Sequence, residues 1–381
     1  MMVQTALARF GLAACIATGS AQDAATDPQP ARYSFREMAM GCEMRIELYA
    51  PSESVAGRWA RSAFDRVHQL DAVLSDYRVT SEVSRLPAVA SRSVPVGRDL
   101  AQTLQRSLRL SRATAGRFDP TTGATSQLWR RARRSGVLPS DSEIDQANAC
   151  GGFEQIALAD DGATLSMCQA GIQLDFGAIG KGLAAQAAIE TLRALGAHQA
   201  MCAIAGDIAC GDPPPDTLGW IVEIACGIPG APPRQVRLHN QSISTSGDEV
   251  QHLDVDGLRH SHIYDPRTGR AVTRRIAATV ISPDGAVADA LATALCVDGG
   301  ELLKQQVRLR GEVGAFEAEV VELGTRDPTV AVTIGWESLL VSPPEPAAVD
   351  QIESKAASDS SGSPAPPPRS IPPPNRQPSA P

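Results

Sequence analysis

The chain has 381 residues, of which 43% are hydrophobic and 20% charged, with a net charge of -8. This balance is ordinary for a globular protein. It excludes a chain that holds nucleic acid by charge, which needs a basic face to neutralise phosphates, so no nucleic acid is expected as a partner. The eight cysteines include no CxxC pair, which argues against a zinc ribbon or a thioredoxin-type redox motif and leaves small buried thiols as the expectation.

The first segment, 1–33, reads as an export signal and linker. Arg9 precedes an apolar run over 10–19, and Gly19-Ser20-Ala21 supplies small residues for cleavage. Leu12-Ala13-Ala14-Cys15 is similar to a bacterial lipobox. An exported chain, periplasmic or membrane-anchored, is therefore expected, with a plain N-terminal extension or a cytoplasmic location as the competing reading. Residues 24–33 are polar and contain proline, as linkers do. A period-two pattern over 43–49 predicts a half-buried strand. Residues 54–75 predict an amphipathic helix, with Ala56, Trp59, Ala60, Ala63, Phe64, Val67, Leu70 and Leu74 on one face.

A second helix is predicted over 98–115, stopped by Gly116. Residues 137–174 are broken by turns, and Asp160-Asp161-Gly162 predicts a hairpin. A third helix is expected from Gly180 to Gly196. Strands follow at 199–205, 220–225, 235–239 and 276–282, a helix at 287–297, and strand character over 315–340. From 343 to 381 Pro, Ser and Ala dominate, the composition of a disordered tail. The folded domain then covers 34–342, roughly 300 residues, enough for one large domain or two packed lobes. Hairpins and helices alternate without a βαβ rhythm. That predicts an α+β fold with mixed, largely antiparallel sheets and packed helices.

Three constellations carry possible chemistry. Asp175-Phe176-Gly177-Ala178-Ile179-Gly180-Lys181-Gly182 places glycines and a lysine at a helix start, where backbone amides attract anions. Its glycine spacing is not that of a P-loop. A tight turn with glycines for packing explains it equally well. His262-Ile263-Tyr264-Asp265-Pro266-Arg267-Thr268-Gly269 is a turn sequence. Its His262 and Asp265 suggest a base and its orienting partner, although such residues are often structural. Asp289 and Thr293 lie four apart and share a helix face, a pairing suited to a hard cation. An N-terminal Asp favoured by the helix dipole is the alternative.

These segments, with Met40-Gly41-Cys42, Leu74-Ser75-Asp76-Tyr77, 81–86 and Gly116-Arg117-Phe118-Asp119-Pro120, occur in an order that resembles the FAD:protein FMN transferase family, also called the ApbE family. The resemblance runs from about residue 40 to 297. It implies an ApbE-like, T-fold-like arrangement of two closely associated lobes. It also implies that Met40, Tyr77, Arg117, Phe118, Asp119, Asp175, Lys181 and Ile263 hold FAD. The Ala178 carbonyl, Asp289 and Thr293 would hold Mg2+. His262 would be the base, with Asp265 or Asp119 orienting or replacing it.

The implied reaction moves FMN from FAD to a Ser or Thr hydroxyl of an acceptor flavoprotein, a membrane-associated redox subunit, and releases AMP. A Mg2+-dependent FAD pyrophosphatase giving FMN and AMP, or a non-catalytic flavin-binding protein, are the competing readings. This sequence departs from the family's pattern in three places. Cys42 stands for the usual Thr; Phe176, Ala178 and Gly180 alter the Asp175–Gly182 segment, with Ala178 where Gly or Thr is commoner; and Ala205 replaces the first Gly of Gly-Gly-Asp.

Overall fold

A computed structural model describes residues 29–86, 93–160, 162–169, 171–224, 228, 230–324 and 327–341. The expected export segment before residue 29 and the tail from 343 lie outside the described residues. In chain order the elements are β1 (Ala31–Ala39), β2 (Cys42–Ala50), α1 (Glu53–Leu74), α2 (Glu82–Arg85), β3 (Ser93–Pro95), α3 (Arg98–Ala113), α4 (Gly123–Ser135) and α5 (Asp141–Asn148). Next come β4 (Ile156–Leu158), β5 (Thr164–Met167), α6 (Gly180–Ala194), β6 (Ala200–Ile204), β7 (Asp207–Cys210), β8 (Trp220–Ile224), β9 (Arg234–Leu238) and β10 (Ser242–Gly247). The remainder are β11 (His252–Val255), β12 (Leu258–Ser261), β13 (Arg275–Ser282), α7 (Gly285–Asp298), α8 (Gln306–Val313), β14 (Glu317–Leu323) and β15 (Pro328–Val332).

An eight-stranded sheet, ordered β1-β2-β6-β7-β10-β13-β14-β15, forms the frame. Each neighbouring pair in it is antiparallel, as short hairpin connections permit. The fold is α+β, with helices against this sheet. The described residues form one compact unit, and its main core runs continuously from Ala39 to Val320. The lobes are therefore joined by a shared interior. Smaller clusters form around Trp220 and Trp336 and around Trp129.

Helix α1 forms where the period-3.6 pattern lies. Ser52 caps its first turn by accepting from the Val55 amide at 3.4 Å. Its face from Ala56 to Leu74 is buried, and burying a side chain such as Phe64 or Leu70 contributes about 1.5–3 kcal/mol each. Helix α7 differs: every residue from Gly285 to Val297 except Thr293 is buried. A helix apolar on all sides belongs in an interior, so Asp289 within it needs a reason.

Helices α6 and α7 cross where two glycines meet. A Cβ on Gly182 would lie 2.2 Å from the Gly285 carbonyl oxygen, and one on Gly285 would lie 2.3 Å from that of Gly182. No other residue fits this approach. The crossing brings the start of α6 onto the Asp289 turn of α7.

Three of these elements differ from expectation. Residues 31–33, read as linker, begin β1, and Phe35 pairs with Ile46. As the edge strand it is largely exposed and polar, so it shows little apolar alternation. Helix α4 goes unpredicted because its first turn, Gly-Ala-Thr-Ser, gives no apolar period. Its face of Leu128, Trp129 and Ala132 is nonetheless buried. Helix α5, begun by a Ser140–Glu143 capping box, lies in the segment expected to hold only turns and strands. The expected hairpin around Asp160 and Gly162 joins β4 and β5; Asp161 lies outside the described residues.

Candidate active site

One end of the large sheet supplies the floor of the site. The Met40-Gly41 turn joins β1 to β2 with positive φ at both residues, 51° and 77°, the twist that suits a two-residue hairpin. The Ala205-Gly206 turn joins β6 to β7 beside it, and the Ala205 amide reaches the Glu43 carbonyl at 3.4 Å. The last residues of β10 pair with the start of β13, Gly247 opposite Ala277. These segments and the start of α6 open onto a cavity of about 1290 Å³.

Met40, Tyr77, Arg117, Phe118, Asp119, Asp175, Ala178, Lys181, His262, Ile263, Asp289 and Thr293 all line that cavity. Asp265 does not line it. Its carboxylate holds Arg267, accepting from the backbone amide at 2.9 Å and from Nη2 at 2.7 Å. It closes its own turn and is not placed to orient His262. The Gln251 carbonyl does that instead, at 3.0 Å from Nδ1. A carbonyl only accepts, so Nδ1 carries the proton and Nε2 of the neutral ring keeps its lone pair. Burial holds the His262 pKa below the ordinary imidazole value; Arg133 and Lys181 push the same way, against the Gln251 carbonyl and Asp248. A neutral imidazole with a free Nε2 can take up a proton.

Asp119 is also engaged internally. One carboxylate oxygen accepts from the Thr121 amide and hydroxyl, at 2.8 and 2.6 Å, and the other from the Phe153 amide at 2.9 Å. Burial raises its pKa despite these bonds. Its part is to shape the loop on which Arg117 and Phe118 sit. Arg117 is held by Asp298 at 2.7 Å, and Phe118 is only 2% exposed. Tyr77, 73% exposed, stands at the rim.

Asp175 anchors a buried polar network. It accepts from the Gly177 amide at 2.6 Å, from Arg130 at 2.9 Å and from the Ser126 hydroxyl. Ser126 in turn bonds the Tyr264 hydroxyl at 2.7 Å. Burial, with Asp175 close by, raises the Tyr264 pKa, so its hydroxyl stays protonated. Arg130 also pairs with Asp76 and lies 4.4 Å over the Tyr77 ring. Each ion here has a partner, which a buried charge requires.

Lys181 reaches Asp207 at 2.7 Å and Asp289 at 3.9 Å. Burial works against its ammonium, but Asp289 and Asp207 together carry its pKa upward. Asp289 is 3% exposed. Burial and the neighbouring Asp207 push its pKa up to about 7, against the pull of Lys181 and the Gly182 amide. The Gly182 amide donates to Asp289 Oδ2 at 3.0 Å. Helix geometry would otherwise aim that amide at the Ala178 carbonyl. Among the described residues no backbone amide donates to the Ala178 carbonyl. Thr293 sits one turn beyond Asp289, with its hydroxyl 3.1 Å from that of Ser246.

This donor set fits a hard cation. A buried carboxylate short of positive charge, a free carbonyl and a hydroxyl are oxygen ligands of the kind magnesium takes while keeping several waters. Among the described residues no group of three His, Cys, Asp or Glu is gathered for a metal, so these mixed oxygen donors are the set to weigh.

Asp207, Arg130, Ser126, Asp248 and Gln251 carry no role in the sequence reading. Asp207 ends a turn motif that was legible, Ala205-Gly206-Asp207. Arg130 and Ser126 are on the unpredicted α4. Gln251 acts through its backbone, which no side-chain pattern reveals.

The ApbE family's sequence profile matches residues 40–316. The chain belongs to the ApbE family. It is similar to the FAD:protein FMN transferase of Treponema pallidum, 31% identical over 311 residues, covering 77% of this chain and 86% of the relative. The FAD:protein FMN transferase of Vibrio cholerae serotype O1 is 30% identical over 271 residues, covering 69% and 80%. Among solved structures, the apo flavinyl transferase ApbE of Pseudomonas stutzeri superposes with a TM-score of 0.71 at 26% identity, covering 83% of this chain and 98% of that one. The apbe protein of Thermotoga maritima, at 23% identity and a TM-score of 0.72, covers 82% of this chain and all of the other, and shares the fold. In this ApbE-family chain the profile includes each cavity residue from Met40 to Thr293.

Proposed function

We propose that this chain transfers FMN from FAD to a Ser or Thr hydroxyl of an acceptor protein and releases AMP, in a reaction that needs Mg2+. One observation carries the reading. The free Nε2 of His262, the Lys181 ammonium and the oxygen donors Ala178, Asp289 and Thr293 all face one cavity. The family's relatives named FAD:protein FMN transferase support the substrate and the transfer.

His262 Nε2 accepts the proton of the acceptor hydroxyl as its oxygen attacks the phosphorus on the FMN side of the pyrophosphate. The bond from that phosphorus to the bridging oxygen breaks, and AMP leaves with the bridging oxygen. The Lys181 ammonium, held charged by Asp207 and Asp289, faces the negative charge that grows on the leaving phosphate. The Ala178 carbonyl, Asp289 and Thr293 would hold Mg2+, which would supply further neutralisation of the growing charge when bound. Asp175, braced by Ser126 and Arg130, fixes the turn before α6 that presents Ala178 and Lys181.

The apolar run over 10–19 supports an exported enzyme, and an acceptor in the same compartment, such as a membrane-associated redox subunit, suits that location. No helix among the described residues is long and apolar enough to cross a membrane.

The test incubates the protein with FAD, Mg2+ and candidate acceptors, then reads flavin fluorescence on a denaturing gel. A labelled acceptor with AMP released is expected. Asp289→Ala should lower Mg2+-dependent labelling by more than about a hundredfold. FMN and AMP without labelled acceptor would make the chain a hydrolase. No FAD turnover with or without Mg2+ would defeat both readings.

A further inference from the structure

Six basic side chains line the cavity: Arg78, Arg117, Arg130, Arg133, Lys181 and Arg275. Five are held by carboxylates. Arg78 pairs with Asp71, Arg117 with Asp298, Arg130 with Asp76 and Asp175, Lys181 with Asp207, and Arg275 with Asp248. Arg133 alone, among the described residues, has no ion-pair or hydrogen-bond partner. It is half-buried on α4, one turn from Arg130, whose charge is already matched by two carboxylates.

A half-buried guanidinium without a counter-ion is costly. Burial and the like charge of Arg130 lower its pKa, with no carboxylate to offset them. The position therefore holds unmet positive charge facing the cavity, with five donors in a planar fork that matches a phosphate. His262 feels both Arg133 and Lys181, and all three line the same cavity.

We propose that Arg133 binds a phosphate oxygen of the dinucleotide substrate and helps to set specificity for a phosphorylated flavin. The proposal rests on the reading of FAD as substrate and adds a second basic contact for its pyrophosphate. The ordering is physical. Carboxylates neutralise the other five cations before any ligand arrives, whereas Arg133 waits for one.

The test is equilibrium binding of FAD and of riboflavin, which has no phosphate, to the full chain without Mg2+, read by flavin fluorescence. Wild-type binding of FAD tests the substrate reading; the ratio between variants tests Arg133. Arg133→Ala should weaken FAD by about ten- to a hundredfold, as loss of a charge-assisted contact does, and leave riboflavin unchanged. It should also flatten the salt dependence of FAD binding. Arg133→Lys should recover only part of the affinity, because a point charge lacks the fork.

Equal weakening of FAD and riboflavin would assign Arg133 to packing and overturn the proposal. Unchanged FAD binding with a raised KM for acceptor protein would make it an acceptor contact and overturn it as well. If Arg133→Ala melts below the assay temperature, Arg133→Gln, which keeps the stem and most of the volume, carries the same comparison.

Discussion

His262 shows how little a side chain's identity says without its neighbours. The ring is useful as a base only because the protonated Nδ1 donates a hydrogen bond to the Gln251 carbonyl at 3.0 Å and leaves Nε2 open. Asp265, three residues on, is spent on Arg267. Since burial, aided by Arg133 and Lys181, depresses the His262 pKa, the unprotonated base is already present at the pH where a free imidazole would be half charged. At saturating Mg2+, which keeps Asp289 ionised, the rate of FMN transfer should therefore rise with pH along an acid limb whose midpoint lies below the ordinary value of about 6.5, then stay level to pH 8. In His262→Asn that limb should vanish and the rate fall by about 10²–10⁴-fold, with FAD binding kept. An acid limb that persists in the variant would assign it to another group. Asp265→Asn should leave the limb in place.

Among the elements, the α6–α7 crossing does the most to build the site. Gly182 looks in sequence like part of an anion-binding loop, and in the structure its missing Cβ is what lets α6 lie on α7. That approach brings the Gly182 amide to Asp289 and takes it away from the Ala178 carbonyl. The packing and the chemical readings of the glycine-rich segment are thus the same fact. Gly182→Ala would drive a Cβ to 2.2 Å from the Gly285 carbonyl, a clash with backbone that no rotamer relieves. It should cost about 1–3 kcal/mol or more, seen as a fall in Tm, and should weaken Mg2+-dependent turnover beyond what the lost stability explains. Gly136→Ala serves as the control, because nothing lies within 4 Å of a Cβ at that helix end and its cost comes from φ alone. Equal effects of the two on turnover would remove the crossing from the argument.

For the whole molecule, the cavity gathers residues as far apart as Met40 and Thr293, so a ligand there ties together the first hairpin, α4, α6, the 262–264 segment and α7. FAD with Mg2+ should therefore stabilise the entire compact unit. At a ligand concentration of 100 times Kd the gain is about 2.7 kcal/mol, a rise in Tm of about 4 °C for a domain of roughly 300 residues. Asp289→Ala should lose the additional rise due to Mg2+ and keep that due to FAD. A melt that splits into two steps with FAD, only one of them moving, would contradict the shared core.

Much of this protein was legible without the fold. Local patterns determined α1, α3, α6 and α7 to within a few residues, because amphipathic or wholly apolar runs and their caps act over one or two turns. They also determined the turn at Asp265–Gly269, and the order of short motifs from Met40 to Thr293 pointed to the ApbE family. Tertiary structure alone decided which side chains meet. It paired Lys181 with Asp207, gave Asp175 to Arg130 and Ser126, put the Gln251 carbonyl behind His262, occupied Asp119 and Asp265 with their own loops, and left Arg133 without a counter-ion among the described residues. The reason is physical: helix and turn signals are written in neighbours along the chain, whereas the partner of a buried charge is chosen by the packing of separate elements, 26 residues apart for Lys181 and Asp207 and 45 for Arg130 and Asp175.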